Sequence, residues 1–365
     1  LENIINLYNK QEDKNRAYYR IYLNYFKAKI EYQRITGKND FKKILAEIED
    51  IYPKYIEYGF VTEYIELNQI LGDIYFSLND YKTALSYYKN AMQTIENHFI
   101  YVSDITNYES LINKYIKCLW EQKQFREILV IKERFRFYVT NHLFFNSKLV
   151  FEDDLTTQLF KEIVQNILVA RQLKNLFIDK RIQKENTKQI ESQLIIVENR
   201  INQYKNELAK LLPDYYDYIV FDEKYLLSNL SMNQYVYLWN EGIDKCIGFE
   251  NRIIRSGTIK NKEDLNLCLS NNKNLVLIPD RYIYQNRLKE YYEILKQNYR
   301  VVLRSSIFDK TPVFIEKKED LRFISNLNLF NHSNNTIIEE QDIKELNLYP
   351  TRFLLNLSKE GIELS

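Results

Sequence analysis

A long stretch of this chain contains neither of the two residues that most often interrupt helices. No proline occurs between Pro53 and Pro213, and no glycine occurs between Gly72 and Gly242. Proline and glycine mark most turns and break most helices, so a stretch without them is expected to form helices with short connections. The sequence therefore predicts that the first part of the chain is mainly helical.

The second part of the chain has a different pattern. Pro279, Pro312, Pro350 and four of the seven glycines follow residue 212, where the apolar runs become short. Short apolar runs bounded by turn residues are typical of strands. We therefore predict a mainly α N-terminal half followed by an α/β domain.

One segment of the helical half has the spacing of two packed helices. Gly72 and Ala84 are small where two antiparallel helices must approach closely, and Tyr75, Tyr81 and Tyr88 are predicted to fill the seam between them. The segment resembles the tetratricopeptide (TPR) repeat. Looser versions precede it, around Phe41, Ile44 and Ile48, and follow it, around Tyr115, Leu119, Phe125 and Ile128. Because one such pair cannot bury its own apolar face, the resemblance implies at least three stacked pairs over residues 1–145. We assign residues 1–150 to TPR-like repeats.

Two long helices are predicted next, over residues 153–212, joined near residues 184–187. The second helix carries apolar residues at alternating steps of four and three: Ile190, Leu194, Val197, Ile201, Tyr204, Leu208 and Leu211. This spacing is typical of a coiled-coil seam. It predicts either packing against the helix at 155–178 or a dimer, and the short connection favours the first. We assign residues 151–212 to a helical hairpin that acts as a connector.

Several short sequence patterns follow one another after Pro213. Apolar runs at 236–239 and 246–249 flank a turn, a third run at 274–280 ends in Pro-Asp, and residues 343–358 read as a helix and a strand. In this order the elements resemble the caspase-like CHAT domain. The resemblance implies that residues 213–365 form an α/β domain with a β-hairpin and a buried parallel strand at 275–278.

The catalytic residues of that family do not carry over. After the last strand the family pattern has Ser-Ala-Cys, whereas this chain has Ser-Lys-Glu at 358–360, and no cysteine follows Cys268. The family also has a strand that ends in His-Gly, whereas residues 313–316 read Val-Phe-Ile-Glu. The resemblance therefore implies a degenerate CHAT-like domain, a pseudo-peptidase without catalytic residues.

A caspase-like cysteine peptidase is the alternative, with catalytic residues relocated, truncated or supplied by another chain. A relocated site would pair Cys268, Ser305 or Ser306 with His332, the only histidine after residue 212. The sequence starts with leucine instead of methionine, so we expect a fragment or a processed chain. A nucleophile beyond Ser365 would then satisfy the same alternative.

The repeats offer a candidate surface for a partner. In stacked helix pairs, the first helix of each pair lines a concave groove. The positions on that side are Gln69, Asp73, Phe76, Asn113, Lys117 and Trp120. Two aromatic rings among polar groups suit an extended peptide or a partner helix. The alternative is that the later helices of the chain itself fill the groove.

Charge and composition exclude several other classes of function. A net charge of +1 gives no electrostatic basis for sequence-independent binding of nucleic acid. No glycine-rich phosphate loop occurs, and no spacing of His and Cys suggests a metal site. We therefore predict no cofactor and no metal.

The cysteines and the apolar runs bear on location. Cys118, Cys246 and Cys268 are odd in number and far apart, which favours a reducing compartment over a disulfide framework. No apolar run approaches the roughly 20 residues that span a bilayer, and the amino terminus is polar. These features predict a cytoplasmic protein that does not enter a membrane.

Together these features predict a non-catalytic interaction or regulatory protein. The repeats would bind a protein or peptide, and the CHAT-like domain would serve as a docking body, alone or in a complex with an active peptidase or effector. The resemblance implies a role in bacterial defence or regulated cell death. A purely structural helical scaffold is a third alternative, for which the second half would lack the buried strand at 275–278.

Overall fold

The computed structural model describes residues 16–37, 41–102, 105–146, 151, 153–213, 219, 221, 234–250, 253–279, 283, 286–303, 355–358 and 361–364. Ser305, Ser306 and His332 lie outside the described residues. The same is true of the segments 313–316 and 343–348 that the sequence analysis singled out.

The chain divides into two compact units that are interleaved in sequence. One unit comprises Leu1–Gln124 and Gln158–Pro213, and the other comprises Phe125–Thr157 and Asp214–Ser365. The domain boundaries predicted at residues 150 and 212 divide the chain into consecutive segments, and they remain a prediction.

The first unit is helical, as predicted. Its helices are α1 (Arg16–Thr36), α2 (Lys42–Tyr58), α3 (Val61–Ser77), α4 (Tyr81–Asn97), α5 (Glu109–Glu121), most of α7 (Asp154–Ile182), and α8 (Lys188–Leu211). From α1 to α5, consecutive helices pack on one another, and α1 also lies against α3. Large side chains with almost no exposure, including those of Phe26, Tyr55, Phe60 and Tyr88, fill the spaces between the layers.

Polar contacts show that α1 and α3 run in the same direction. Arg16 Nε lies 2.7 Å from Glu63 Oε1, and Lys27 Nζ lies 2.7 Å from Glu66 Oε2. Farther along both helices, Arg34 donates to Ser77 Oγ at 3.1 Å. Since residue numbers rise together on both sides, the first helices of successive pairs are parallel.

The stretch without glycine ends its helices with other residues in the left-handed conformation. Asn79, Lys123 and Lys184 follow α3, α5 and α7 with φ values of 59°, 56° and 58°. Backbone amides just beyond these residues bond back to the helices, for example Asp80 N to Tyr75 O at 2.9 Å. Helix ends normally use glycine for this conformation, because a side chain costs roughly 1–2 kcal/mol there. The long helices of this stretch are therefore separated by tight turns even though no glycine occurs between Gly72 and Gly242.

Asp80 caps the amino terminus of α4, and its removal should weaken the first unit. Its carboxylate accepts from the backbone N of Thr83 at 3.1 Å, and hydrogen bonds from the Thr83 side chain and backbone lower the pKa of Asp80. We expect Asp80→Ala to lower the free energy of unfolding by about 1 kcal/mol in a urea titration at neutral pH. Asp80→Asn keeps a capping oxygen and should lose much less.

The cap should also respond to pH in a defined direction. The folded-state pKa of Asp80 is lowered from its ordinary value, so the carboxylate contribution is complete at neutral pH and is lost as pH falls through that lowered pKa. The difference between wild type and Asp80→Asn should therefore narrow in acid. A constant difference from pH 7 to pH 2 would contradict the assigned cap.

The helices α7 and α8 form the predicted hairpin and pack within the chain. The seam residues Ile190, Leu194, Val197, Ile201 and Leu208 are buried, while Tyr204 is half-buried and Leu211 is exposed. Side chains from both helices belong to the same core as α1, α2 and α3. The first part of the seam, at Ile190 and Leu194, therefore packs within the chain beside Phe177 and Ile178 of α7.

The second unit is built on a five-stranded sheet with the order β3-β2-β1-β4-β5. Its strands are β1 (Gln234–Asn240), β2 (Asp244–Glu250), β3 (Ile253–Ile259), β4 (Asn274–Pro279) and β5 (Arg300–Leu303). The strands β1, β2 and β3 are antiparallel neighbours, whereas β4 is parallel to both β1 and β5. The predicted hairpin and the buried parallel strand are confirmed, and so is the coarse order of a helical part followed by an α/β part. The strand that the third alternative, a purely structural helical scaffold, would lack is therefore present.

The last predicted strand lies elsewhere. Residues Leu355–Ser358 form β6, which pairs with β7 (Gly361–Leu364) in a separate two-stranded antiparallel sheet.

The two faces of the five-stranded sheet carry different helices. Val236 and Leu238 of β1 point into a core with Cys246 and with α9 (Leu288–Leu295). On the other face, the hydroxyl of Tyr237 donates to Glu133, a residue of α6 (Phe125–Asn146). Burial and the nearby Glu133 carboxylate raise the pKa of Tyr237. The sheet is thus covered on both sides.

The placement of α6 differs from the sequence analysis. The pattern around Phe125 and Ile128 suggested the second helix of a third repeat pair. Instead, Lys132 Nζ lies 4.8 Å from the ring centre of Trp239 in β1, and α6 belongs to the unit of the sheet. Helical periodicity shows that a face is apolar but not which neighbour covers it.

Candidate functional site

The predicted groove residues lie on two adjacent helices of the first unit. Gln69, Asp73 and Phe76 belong to α3, and the other three belong to α5. Lys117 Nζ lies 5.1 Å from the ring centre of Phe76. Asp73 Oδ2 lies 2.6 Å from Lys114 Nζ, which joins the same two helices one turn earlier. The six predicted positions therefore share one surface, which we call the α3–α5 face.

The six residues differ in how accessible they are. Asn113 and Lys117 are exposed, whereas Gln69, Asp73, Phe76 and Trp120 are half-buried. Exposed residues and half-buried rings side by side give the face both a polar and an apolar part.

Asp73 is tied into the packing of three helices. Its Oδ1 accepts from the hydroxyl of Tyr88 in α4 at 2.7 Å, and its Oδ2 pairs with Lys114 of α5. Burial and the Asp73 carboxylate raise the pKa of Tyr88. Asp73 thus fixes the spacing of the helices beneath the face.

Two basic residues of this surface were not predicted. Lys114 pairs with Asp73, and Arg34 of α1 donates to the Asp73 carbonyl oxygen at 3.4 Å and lies 3.8 Å from Glu31. Lys114 follows the predicted Asn113 directly, but Arg34 belongs to a repeat too irregular to align. Together with Lys117, the cations outnumber the carboxylates of Asp73 and Glu31 by one.

Aromatic contacts shape the apolar part of the face. The ring of Phe76 meets the ring of Tyr81 edge-on at 5.4 Å, and Lys117 lies over Phe76. Cation–π contacts of this kind hold a lysine stem along a ring while its ammonium group stays in water. Leu78, at the end of α3, is 44% exposed and extends the apolar surface.

The hairpin of α7 and α8 makes its contacts near the start of α3, whereas Phe76 lies near the end of that helix. Arg181 donates to the carbonyl oxygen of Glu57 at 2.7 Å, and Arg171 donates to that of Ile100 at 2.7 Å. Arg16, whose guanidinium pairs with Glu63 near the start of α3, donates to Asn175 at 3.0 Å. From residue 63 to residue 76 a helix extends about 20 Å. These hairpin contacts therefore lie at the start of α3, away from Phe76.

The cysteines do not form the arrangement that a cysteine peptidase requires. Cys246 and Cys268, both buried, are joined by a disulfide with a Cα–Cα distance of 6.1 Å. Cys118 is buried in α5, and burial followed by the charge of Glu121 raises its pKa to about 12. A nucleophilic cysteine needs an accessible thiolate, and none of these three cysteines is accessible in this state.

The Cys246–Cys268 disulfide corrects the prediction that the cysteines, far apart in the sequence, form no disulfide. The reducing compartment stays a prediction. Cys246 and Cys268 lie 22 residues apart, which the sequence analysis took as far apart. The chain turns back after β3, so that a short helix lies on β2 and brings the two residues together. Distance along a sequence does not measure distance in space.

A second polar cluster lies where the turn between β1 and β2 meets α9. Asp244 accepts from Asn240 Nδ2 at 2.6 Å and from the hydroxyl of Tyr291, and it lies 3.5 Å from Arg287 Nη1. Burial and the bond to Asp244 raise the pKa of Tyr291. The carboxyl ends of parallel strands often bind ligands, but these bonds occupy Asp244 in holding the turn to α9.

Comparisons with known proteins assign no family to this chain. A scan against protein-family models, a search of curated proteins and a search of solved structures each returned no match.

The described part of the chain shows neither a metal-binding cluster nor a membrane-spanning helix. No group of three or more His, Cys, Asp or Glu side chains is placed there to hold a metal ion. None of the helices described combines the length and the apolar character needed to cross a membrane.

Proposed function

We propose that this chain is a non-catalytic interaction or regulatory protein whose α3–α5 face binds a segment of a protein partner. The observation that carries the proposal is the position of Lys117 over Phe76, since it brings residues of two helix pairs into one surface. Half-buried rings beside exposed polar groups are typical of sites that bind extended peptides or helices.

The charges of the face favour a partner segment that carries carboxylates. Lys117 contacts a ring instead of an acid, whereas Lys114 pairs with Asp73 and Arg34 lies 3.8 Å from Glu31. A carboxylate on the partner would add an ion pair at the rim of the contact. Rim charges mainly raise the association rate and the specificity of binding.

For the second unit we propose a CHAT-like pseudo-peptidase body that docks or senses and does not cleave. Two observations support the proposal. The five-stranded sheet has a β-hairpin beside parallel strands, and every cysteine of the chain is buried. A cytoplasmic role in bacterial defence or cell death belongs to the same proposal.

A peptide selection tests the proposed face. The full chain would be immobilised and screened with a phage-displayed library of random peptides, and enriched peptides would be measured by fluorescence anisotropy. We expect peptides that contain Asp or Glu, and we expect Lys117→Ala to raise their Kd roughly three- to tenfold, because an exposed charge contact contributes about 1 kcal/mol.

Lys89→Ala is the matched control. Lys89 is an exposed residue of α4, so this variant makes the same change of charge away from the face. It should leave the Kd unchanged. Equal effects of both variants, or no enrichment above the bare support, would count against the α3–α5 face as the binding site.

A further inference from the structure

The disulfide between Cys246 and Cys268 encloses one strand and one short helix. Cys246 lies in β2, and Cys268 is the last residue of the 3-10 helix Lys262–Cys268. Between them the chain forms β3 and returns across the strands. Both cysteines belong to the core on this face of the sheet. The bridge therefore fastens the 3-10 helix to the sheet through its last residue.

Two glycines let this helix lie close to the strands. A Cβ atom at Gly248 would lie 1.8 Å from the carbonyl oxygen of Cys268, and one at Gly257 would lie 2.8 Å from the Cβ of Leu267. Cys246 and Gly257 are direct partners in the register of β2 and β3. The end of the 3-10 helix thus sits on a glycine surface beside the bridge.

Of the two elements that the bridge encloses, the strand β3 is held more firmly in the sheet than the 3-10 helix. The strand β3 pairs with β2 along its whole length, from Ile253 to Ile259. The 3-10 helix has the capping bonds of Asn261 and Asp264 at its start and the buried side chain of Leu265. Helices of the 3-10 type have poor hydrogen-bond geometry and are rarely stable alone. Without the bridge, the 3-10 helix is the part expected to loosen.

We propose that the Cys246–Cys268 pair is a redox-controlled fastener that locks the 3-10 helix Lys262–Cys268 onto β2 and β3 when oxidised and releases it when reduced. This inference is independent of the proposed partner-binding face. It also agrees with a cytoplasmic location, where regulatory disulfides form and break.

The chemistry is thiol–disulfide exchange with a small disulfide such as oxidised glutathione. One cysteine thiolate attacks that disulfide, forms a mixed disulfide and releases one small thiol. The second thiolate attacks the protein sulfur of the mixed disulfide, closes the bridge and releases the other small thiol. The protein loses two electrons to the small disulfide, and the two protons lost by the cysteines end on the released thiols. A dithiol reductant reverses both steps.

The first test counts free thiols in the full chain. After incubation with oxidised glutathione and denaturation, we expect one N-ethylmaleimide adduct, on Cys118, and after reduction three, since the chain has three cysteines. Three adducts from the oxidised sample, or a bridge that involves Cys118, would overturn the assignment of the pair.

The second test asks whether the bridge controls the helix. Hydrogen exchange measured by mass spectrometry should become at least about tenfold faster over residues 262–269 on reduction, while peptides from α3 stay unchanged. The double variant Cys246→Ala/Cys268→Ala should exchange at the fast rate with or without reductant. Cys118→Ala should behave as wild type.

One result would remove the regulatory role. If residues 262–269 exchange equally slowly in the oxidised chain, the reduced chain and the double variant, then packing alone holds the 3-10 helix and the bridge does not control it.

Discussion

Replacing Gly248 by alanine is expected to prevent the native packing of the second unit. The added Cβ would lie 1.8 Å from the backbone oxygen of Cys268, and a backbone atom cannot rotate away as a side chain can. Overpacking of a close contact typically costs about 1–3 kcal/mol and sometimes more, and here we expect more. Hydrogen exchange of the amides in β1 and β2 should show the loss as a collapse of protection.

Two other glycines of the same unit serve as controls. Gly257→Ala meets the Cβ of Leu267 at 2.8 Å, a contact 1.0 Å longer than the one at Gly248, so we expect a smaller loss of about 1–3 kcal/mol. Gly242→Ala meets no atom within 4 Å but has a φ of +82°, so only backbone strain of about 1 kcal/mol is expected. If Gly248→Ala proved as mild as these two, the close approach of the 3-10 helix would be wrong.

The second large effect is expected in the first unit, from Gly72→Ala. A Cβ at this position would lie 2.4 Å from Cε1 of Tyr88, whose ring is fully buried and whose hydroxyl is bound by Asp73. In an exposed helix, alanine would be favoured over glycine by about 1 kcal/mol, so any loss must come from packing. We expect the free energy of unfolding to fall by about 3 kcal/mol, measured by urea denaturation with the helical circular dichroism signal.

A double-mutant cycle separates this clash from other causes. In the background of Tyr88→Ala the ring is gone, and Gly72→Ala should then be neutral or slightly stabilising. If Gly72→Ala still lowered the free energy of unfolding in the Tyr88→Ala background, then the added Cβ would be clashing with a group other than the Tyr88 ring.

The same pair of residues shows what could be predicted from the sequence. Gly72, Ala84 and Tyr88 are predicted to lie where two helices meet, and they do: Ala84 and Tyr88 are fully buried. Tyr75 and Tyr81 were predicted in the same seam but are only half-buried, and Tyr75 stacks on Tyr87 at 5.5 Å. Small residues are a specific signal for close packing, whereas tyrosine tolerates many degrees of burial.

The sheet was predicted in part. The apolar runs at β1, β2 and β4 identified three strands and the parallel pairing of β4. The close approach at Gly248 was missed, because a glycine within a strand can reflect a bulge, a bend or a neighbouring backbone. The disulfide was missed for a related reason, since both depend on where the chain returns after β3.

The sequence predicted which helices carry the candidate face but not the side-chain contacts within it. The spacing along α3 and α5 placed six residues on one surface, but it could not show that Asp73 is held by Tyr88 and Lys114. Those bonds come from other helices or from neighbouring positions. Periodicity assigns a residue to a side of its own helix and carries no information about partners.

The interleaved order of the two units has a consequence for synthesis on the ribosome. The helix α6 ends at residue 146, but the strands of its sheet are made of residues 234–303. At roughly 5–20 residues per second, on the order of ten seconds separate the emergence of α6 from that of β1 and β4. During that interval Lys132 and Glu133 of α6 lack the sheet residues Trp239 and Tyr237 that they contact in the folded unit. The nascent chain would therefore carry α6 without its sheet while the hairpin of α7 and α8 is still being made, which makes this interval the natural point for a chaperone to act.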